Sequence, residues 1–513
     1  MNLTKLPGAH ATLAALTAAR AALDEGVDAQ ASTYLLLALM VLKIASDTDA
    51  AAQDPDVAYG TPLHWGPSSP GAQLLVVPPE ASFERLLQQR FDPGNYQRIL
   101  AALHCLSHAN PETLTEVFDV LRLHDGWPVD PERRDVALSR LLGRMAIPAL
   151  DFRALCGAYR ADIGEAADRL LERSQPRRCA VPLAHLPDAL AWLMAALLDP
   201  GEDDSICDPA CHSGSLLLAA SRWARARHGA RRHQVFGQEH DDAGWARTRL
   251  RLLLHGEDNH GIVAGSPLQH PPLLDGDGTL RRFHVQLARP PFALAWMPER
   301  ALHDPHRRFE YGLPPRQWGH FALLQHMIKA MDPQHGRIAL VVPHGVLFRT
   351  GEEAHIRQQL LDANLIEAVV GLPDRLFAGM PVATALLVLR SVRADDAVLF
   401  VDARQLQPRA RRGPKLDRAG AERLLQICQQ RGDVPGLACR ADAARVAAQQ
   451  GNLSIARYIG ADTLAPAPSL GTLRGQRSGL RAQLHTLEQA LDTDLLGLEP
   501  ERVAAPLAAD ALG

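Results

Sequence analysis

Lysine is nearly missing from this chain. Only Lys5, Lys43, Lys329 and Lys415 occur among the 54 basic residues, leaving 50 arginines, a bias that a GC-rich genome explains without any functional role. Also missing is an uninterrupted apolar run of about 18 residues, so no membrane-spanning helix is expected. The opening stretch MNLTKLPGAHATLAALTAARAALDEG has neither a basic start nor a clear small-residue cleavage site. These absences predict a soluble, unsecreted, cytoplasmic protein with no membrane partner. The seven cysteines (105, 156, 179, 207, 211, 428 and 439) lack the spacing of a metal site or a disulfide framework, and an odd count suits a reducing compartment. Cys207 and Cys211 do not form a CxxC pair, and no metal centre is expected. There is no GxxxxGK[ST] loop either, which argues against ATP-driven translocation by this chain. The formal charge of −4 excludes a uniformly positive surface. Contact with nucleic acid would therefore use local patches, such as Arg225 to Arg232 (RARHGARR) and Arg409 to Arg418 (RARRGPKLDR), although charge runs are more often solvated faces.

At 513 residues, 47% of them apolar, two or three domains are expected. Helical apolar patterns such as STYLLLALMVLKIASD and NYQRILAALHCLSH alternate with breaks such as YGTPLHWGPSSPG, which predicts an all-helical domain over residues 1–174. Past SQPRR the pattern changes. DSICDPAC, HQVFGQEH, HGIVAG, FHVQLARPPF, GRIALVVP, LIEAVVGLP and TALLVLRS are short β-rich runs, most of them separated by helical segments. Such alternation predicts an α/β fold with a mostly parallel, doubly wound sheet over residues 175–405. Residues 406–513 are expected to be a helical region. In it Leu473, Leu480, Leu484, Leu487 and Leu491 follow heptad-like spacing, which fits a short coiled coil or partner-binding tail, or a satellite helix packed on its own domain.

Two strand ends carry the first chemical signal. In SICDPACHSGSLLLAASRW an apolar strand ends at Asp208, a turn of small residues with Gly214 follows, and a helix begins near Leu216. Such a crossover lets the backbone approach a ligand and offers unpaired N–H groups. The next strand ends in Glu239, placed to accept hydrogen bonds from two ribose hydroxyls. Alone, Asp208 reads as a helix cap and Glu239 as a surface acid. Their position at consecutive strand ends selects a nucleoside-containing cofactor instead.

Asp208-Pro209-Ala210-Cys211, followed by Ser213-Gly214, resembles the DPACGSG loop with which modification subunits of type I restriction-modification systems hold S-adenosylmethionine. Phe236 to Gly256, Tyr311 to Met331 and Gly336 to Ser391 are similar to long stretches of that family. Tyr34 to Asp47, Val77 to Leu86 and GNLSIARYIG (Gly451 to Gly460) are similar to its flanking helical parts. The resemblance implies a class I S-adenosylmethionine-dependent methyltransferase core of seven strands. It also implies methylation of adenine N6 in double-stranded DNA, with a specificity subunit, a second modification subunit and a restriction subunit as partners. Cofactor-binding positions carried over are Val181, Pro182, Asp208, Pro209, Ala210, Cys211, His212, Ser213, Gly214, Glu239 and Ser266.

Three of these positions depart from the family. His212 stands where the loop has glycine, Ser266 where Asp or Asn meets the cofactor's adenine, and RRCAVPLAHL keeps only Pro182 of an FYTP segment. The catalytic positions are Arg289, Pro290, Pro291 and Phe292, in the motif whose first residue is asparagine in the family. There the flipped adenine's amino group donates to that side-chain oxygen and to the first proline carbonyl, while an aromatic ring stacks on the base. Arginine carries only donors and a permanent charge, so it cannot accept that hydrogen bond. Losing one such interaction costs about 2–4 kcal/mol of transition-state stabilisation, roughly 30- to 1000-fold in rate. Three readings stand open at this stage: an enzyme in which Arg289 swings aside, a catalytically silent homologue serving as a DNA clamp or assembly partner, and a methyltransferase acting on RNA or protein. The helical flanks argue against the last.

Overall fold

The computed structural model describes residues 9–23, 29–53, 75–121, 123, 130–153, 157–174, 186–228, 233–257, 260–294, 296–301, 303–377, 382–406, 416–459 and 470–496. The expected helical region is present at the N-terminus. Its longest helix, Ala29–Gln53, is apolar on every side, as a helix enclosed by others must be. Residues Ala31–Ala51 are long and apolar enough to cross a membrane, yet 89% of the window is buried within the protein. Around it, Asn95–Ala109 buries Ile99, Ala102, Leu103 and Leu106 at helical spacing, and Pro131–Met145 starts on an Asp130 side chain that accepts the Glu132 N–H. The Lys43 ammonium, 2.8 Å from Asp47, lies under Phe83, so the one cation of this largely buried helix is paired.

The sheet is larger than expected. Nine strands, β1 (Ser205–Asp208), β2 (Gln234–Glu239), β3 (His260–Ala264), β4 (Val285–Ala288), β5 (Arg337–Pro343), β6 (Ile366–Gly371), β7 (Thr384–Arg390), β8 (Val398–Asp402) and β9 (Ala438–Ala441), run in the order β3-β2-β1-β4-β5-β7-β6-β8-β9. The five from β3 to β5 are parallel; β7 is antiparallel to both neighbours, and β9 is antiparallel to β8. All seven β-rich runs read from the sequence are strands, and β8 and β9 are additions. The second addition carries the sheet beyond residue 405. Ala438–Ala441 is only four residues with an exposed Arg440, too short to announce itself, and it becomes a strand by pairing with β8. Tyr458 then stacks on Phe400 of β8 at 3.6 Å, so the chain beyond β9 packs back onto the sheet.

Nor does the packing divide at 174. One hydrophobic cluster joins Leu16, Leu37 and Leu170 to Leu217, Leu253 and Val370, and a single compact unit runs from Met1 to Ile459. A second unit begins at Gly460, and its described part is one helix, Leu470–Leu496. Within that unit Leu480, Leu484, Leu487 and Leu491 are exposed, which fits the heptad spacing; the Leu473 side chain lies outside the description.

The free edge of β3 is covered by the helix Asp242–Leu254. Its Trp245 donates from Nε1 to the Ile262 carbonyl at 2.9 Å, both residues being buried. Trp245→Phe keeps the packing and strands the carbonyl, so it is expected to destabilise the protein by about 1–3 kcal/mol. A lower urea midpoint with unchanged slope would be the signature, and an unchanged midpoint would show that the bond contributes nothing.

Candidate active site

Because the strand order reverses between β1 and β4, the ends of these strands border the crevice where a doubly wound sheet takes its ligands. Asp208 closes β1, Glu239 closes β2, Gly265 and Ser266 follow β3, and Arg289 and Pro290 follow β4. Register supports the alignment, with Asp208 opposite Gly237 and Glu239 opposite Ala264. The expected site residues from Asp208 to Phe292 thus fall on one ledge. Val181 and Pro182 lie outside the described residues.

The turn after β1 is tightly determined. Ala210 donates its N–H to Asp208 Oδ1 at 2.9 Å, Cys211 donates to the Gln238 carbonyl at 3.0 Å, and Gly214 donates to the Cys211 carbonyl at 2.7 Å. Cys211 packs against β2 only because residue 237 is glycine; a Cβ there would stand 3.0 Å from its sulfur. His212 adopts φ +47° and Gly214 φ +72°. The glycine does so freely, whereas for histidine the left-handed region costs about 1–2 kcal/mol. Two side chains of the helix Asp242–Leu254 hold this conformation: Thr248 Oγ1 donates to the His212 carbonyl, and Arg251 donates to the Ser213 carbonyl at 2.5 Å.

Charge is concentrated on the ledge. Asp208 is 2% exposed, and its carboxyl is pushed up to about 7 by burial, with the charge of Glu239 adding and the Ala210 N–H and Arg289 opposing. Glu239 goes the other way. Burial alone would raise it, but His212, the Asp241 N–H and His240 hold it down to about 2. His212 Nδ1 lies 3.4 Å from Glu239 Oε2, while Oε1 accepts the Asp241 N–H at 3.0 Å and sits 3.0 Å from His240 Nδ1. The other ring nitrogen of His212 is enclosed without a hydrogen-bond partner.

Past β4, Arg289 is 8% exposed, and no hydrogen bond or ion pair involves it among the described residues. Burial lowers its pKa, and the field of Asp208 counters this. Its guanidinium sits 5.8 Å from the centre of Phe377, the same ring against which Phe292 packs edge to face at 5.3 Å. Pro290 is buried, Pro291 exposed and Phe292 half-buried. Behind the motif, His320 is buried and driven down to about 4 by burial and by Arg349, so it is neutral at physiological pH. Ser266 is half-buried; its carbonyl accepts from the His270 N–H at 3.1 Å, and the next carbonyl, of Pro267, accepts from Arg308 at 2.5 Å.

Sequence reasoning missed Gly237, Thr248, Arg251 and Phe377. Gly237 had a local signal, being a glycine inside a strand pattern; the others act across long sequence separations. The two arginine runs turn out largely engaged where they are described. Arg225 pairs with Glu257, Arg227 lies 3.1 Å from Asp199, and Arg418 stacks on Trp192 and bonds Glu422. Residues 229–232 and 407–415 lie outside the description.

A sequence profile described as N-6 DNA Methylase matches residues 184–465, more than half of the chain and the whole of this ledge. The chain belongs to the N-6 DNA methylase family. Similar curated proteins include the type I restriction enzyme MjaVII methylase subunit of Methanocaldococcus jannaschii, 26% identical over 63% of this chain and 56% of the relative. Another is the HindI methylase subunit of Haemophilus influenzae, 30% identical over 43% and 49%. The chain therefore spans about half the length of the curated relatives it matches. The crystal structure of a type I restriction-modification methyltransferase subunit from Streptococcus thermophilus shares the fold at a TM-score of 0.71 and 22% identity, covering 88% of this chain and all of that one. A putative type I modification subunit from Vibrio vulnificus gives 0.61 at 18%, covering 87% and 94%.

The Asp208 carboxyl gives this N-6 DNA methylase fold a pH dependence. Its folded pKa, about 7, exceeds the ordinary 3.8, so between these values the native state keeps a proton that the unfolded chain releases. Its contribution to stability accordingly falls as pH rises from about 4 to about 7 and then levels off. Asp208→Asn retains an acceptor for the Ala210 N–H and does not titrate. Melting temperatures of wild type and variant are expected to diverge across that window, the variant gaining; parallel curves would show that Asp208 does not titrate there.

Proposed function

We propose that the chain is the modification subunit of a type I-like restriction-modification assembly, which binds S-adenosylmethionine on the ledge and holds double-stranded DNA with a specificity subunit and a second copy of itself. The single observation carrying this reading is the convergence of Asp208, Glu239, Ser266 and the Arg289-to-Phe292 motif on adjacent strand ends of an N-6 DNA methylase fold. A restriction subunit completes such a system, and its place of action is the cytoplasm. The DNA sequence would be read by the partner, since no base-reading module was apparent in this chain.

The residues fit the cofactor, at a cost. Glu239 is ionised and sits at the strand end beside Gly265, ready to accept from two ribose hydroxyls. The turn from Pro209 to Gly214 supplies small residues and backbone N–H groups for the methionine portion. His212 must leave Glu239 Oε2 before a ribose hydroxyl can take that oxygen. When bound, the cofactor supplies an electrophilic methyl group on sulfur. Phe292 stacks on the flipped adenine and the Pro290 carbonyl accepts one amino hydrogen. At the remaining position Arg289 presents a cation where an acceptor would raise the electron density on nitrogen, so transfer is slow.

A second reading, a catalytically silent DNA clamp, is favoured by one observation. Arg289 is buried in place rather than swung into solvent.

Calorimetric titration with S-adenosylmethionine, alone and with the specificity partner, tests the cofactor assignment. Binding in the micromolar range is expected. His212→Gly frees Glu239 and relieves the left-handed backbone, so it should tighten binding about tenfold, the equivalent of roughly 1.4 kcal/mol. No heat from a folded protein in either state would rule out the cofactor role.

A further inference from the structure

We infer that Arg251 is a positioning residue that ties the cofactor turn to the N-terminal helical region through Asp168, so that cofactor occupancy and the order of that region are coupled. The inference rests on the cofactor reading above.

Arg251 divides its donors between two parts of the protein. Nη1 donates to the Ser213 carbonyl in the turn after β1 at 2.5 Å and to Ser215 Oγ, at the start of the following helix Ser215–His228, at 3.0 Å. Nε and Nη2 donate to Asp168 Oδ1 and Oδ2 at 2.5 and 2.8 Å, a two-pronged pair with the helix Gly157–Ser174. His255 Nε2 adds a contact to Asp168 Oδ2 at 3.0 Å, and its Nδ1 lies 3.0 Å from Arg222 on the helix that follows the turn. Burial would raise the Asp168 carboxyl, yet Arg251 and His255 hold it far below the usual range. It is an anion throughout the physiological range.

Close approach is built into the same helix face. Gly164 lies one turn before Asp168, and a Cβ on it would stand 2.1 Å from His255 Nδ1, so the imidazole rests directly on the helix backbone. Across the contact, Thr248 and Arg251 are three residues apart on one face of their helix and take the consecutive carbonyls of His212 and Ser213. With those carbonyls turned toward the helix, the trans peptide between them points the Ser213 N–H the other way. The turn holds a strained residue at φ +47°, and the ties from Thr248 and Arg251 to its carbonyls add to its own backbone hydrogen bonds in holding that geometry. One of these two ties is fixed by the N-terminal region.

The test uses the full chain and S-adenosylhomocysteine as the probe, read by calorimetry and by amide hydrogen exchange at residues 157–174 and 209–217. Wild type should show slowed exchange in 157–174 on binding. Asp168→Asn should lose that response and bind about tenfold more weakly. Arg251→Lys, which retains a charge but not the fork, should do the same and serves if Asp168→Asn fails to fold. Tyr34→Phe is the control: it removes the Arg247–Tyr34 hydrogen bond of 2.6 Å between the N-terminal region and the same helix without touching the turn, and should change affinity less than twofold. Equal weakening by the control, or an unchanged affinity and exchange response in Asp168→Asn, overturns the inference. If wild type binds no cofactor, the cofactor reading fails by itself. Exchange at 209–217 in the free protein then decides the coupling: faster in Asp168→Asn supports the tie, and unchanged exchange refutes it.

Discussion

Parallel pairing of β1 with β2 on one side and β4 on the other brings together segments that lie some eighty residues apart in the chain. Each strand runs the same way, so each ends at the same edge, and whatever side chain closes a strand is delivered there. Helices on the sheet faces keep the strands buried. Glycine at 237 and 214 lets the turn after β1 pack closely against β2 and the helix Asp242–Leu254.

On that edge the electrostatics are unusual in kind and not merely in degree. A carboxyl raised to about 7, a carboxylate lowered to about 2 and a buried guanidinium share one surface. The field of Asp208 offsets part of the burial penalty on Arg289, but no hydrogen bond completes the pair. With little of its surface in water and no hydrogen-bond partner among the described residues, the guanidinium is incompletely solvated, which is costly for a cation. That cost is what a ligand offering acceptors would relieve. An adenine amino group offers donors. At Arg289, cofactor binding and methyl transfer become separable properties.

Much of this was legible from local patterns. The strand-ending acids Asp208 and Glu239, the aromatic at Phe292 and the misfit at Arg289 all sit within short motifs whose chemistry depends on neighbours in sequence. β8 lies inside the expected limits of residues 175–405 as the apolar run AVLFVDA, although it is not among the seven β-rich runs read from the sequence. β9 was not visible, because four residues with an outward arginine acquire strand geometry only from a partner. Arg251, Asp168 and Gly164 were silent for the same reason. Their roles exist only once helices distant in sequence are packed face to face. Near 174 the composition changes, while one hydrophobic core continues across that point.

Arg289 is the point on which the account turns, and one substitution addresses it. The measurement is N6-methyladenine in DNA, read by sequencing after the chain and the proposed specificity subunit are produced together, for wild type and Arg289→Asn. If the cradle is intact and only the acceptor is missing, the variant should gain roughly 30- to 1000-fold in methyl transfer, the size of one restored transition-state interaction. A variant that binds cofactor and DNA as wild type does, yet transfers no faster, would contradict the claim that the arginine is what limits the chemistry.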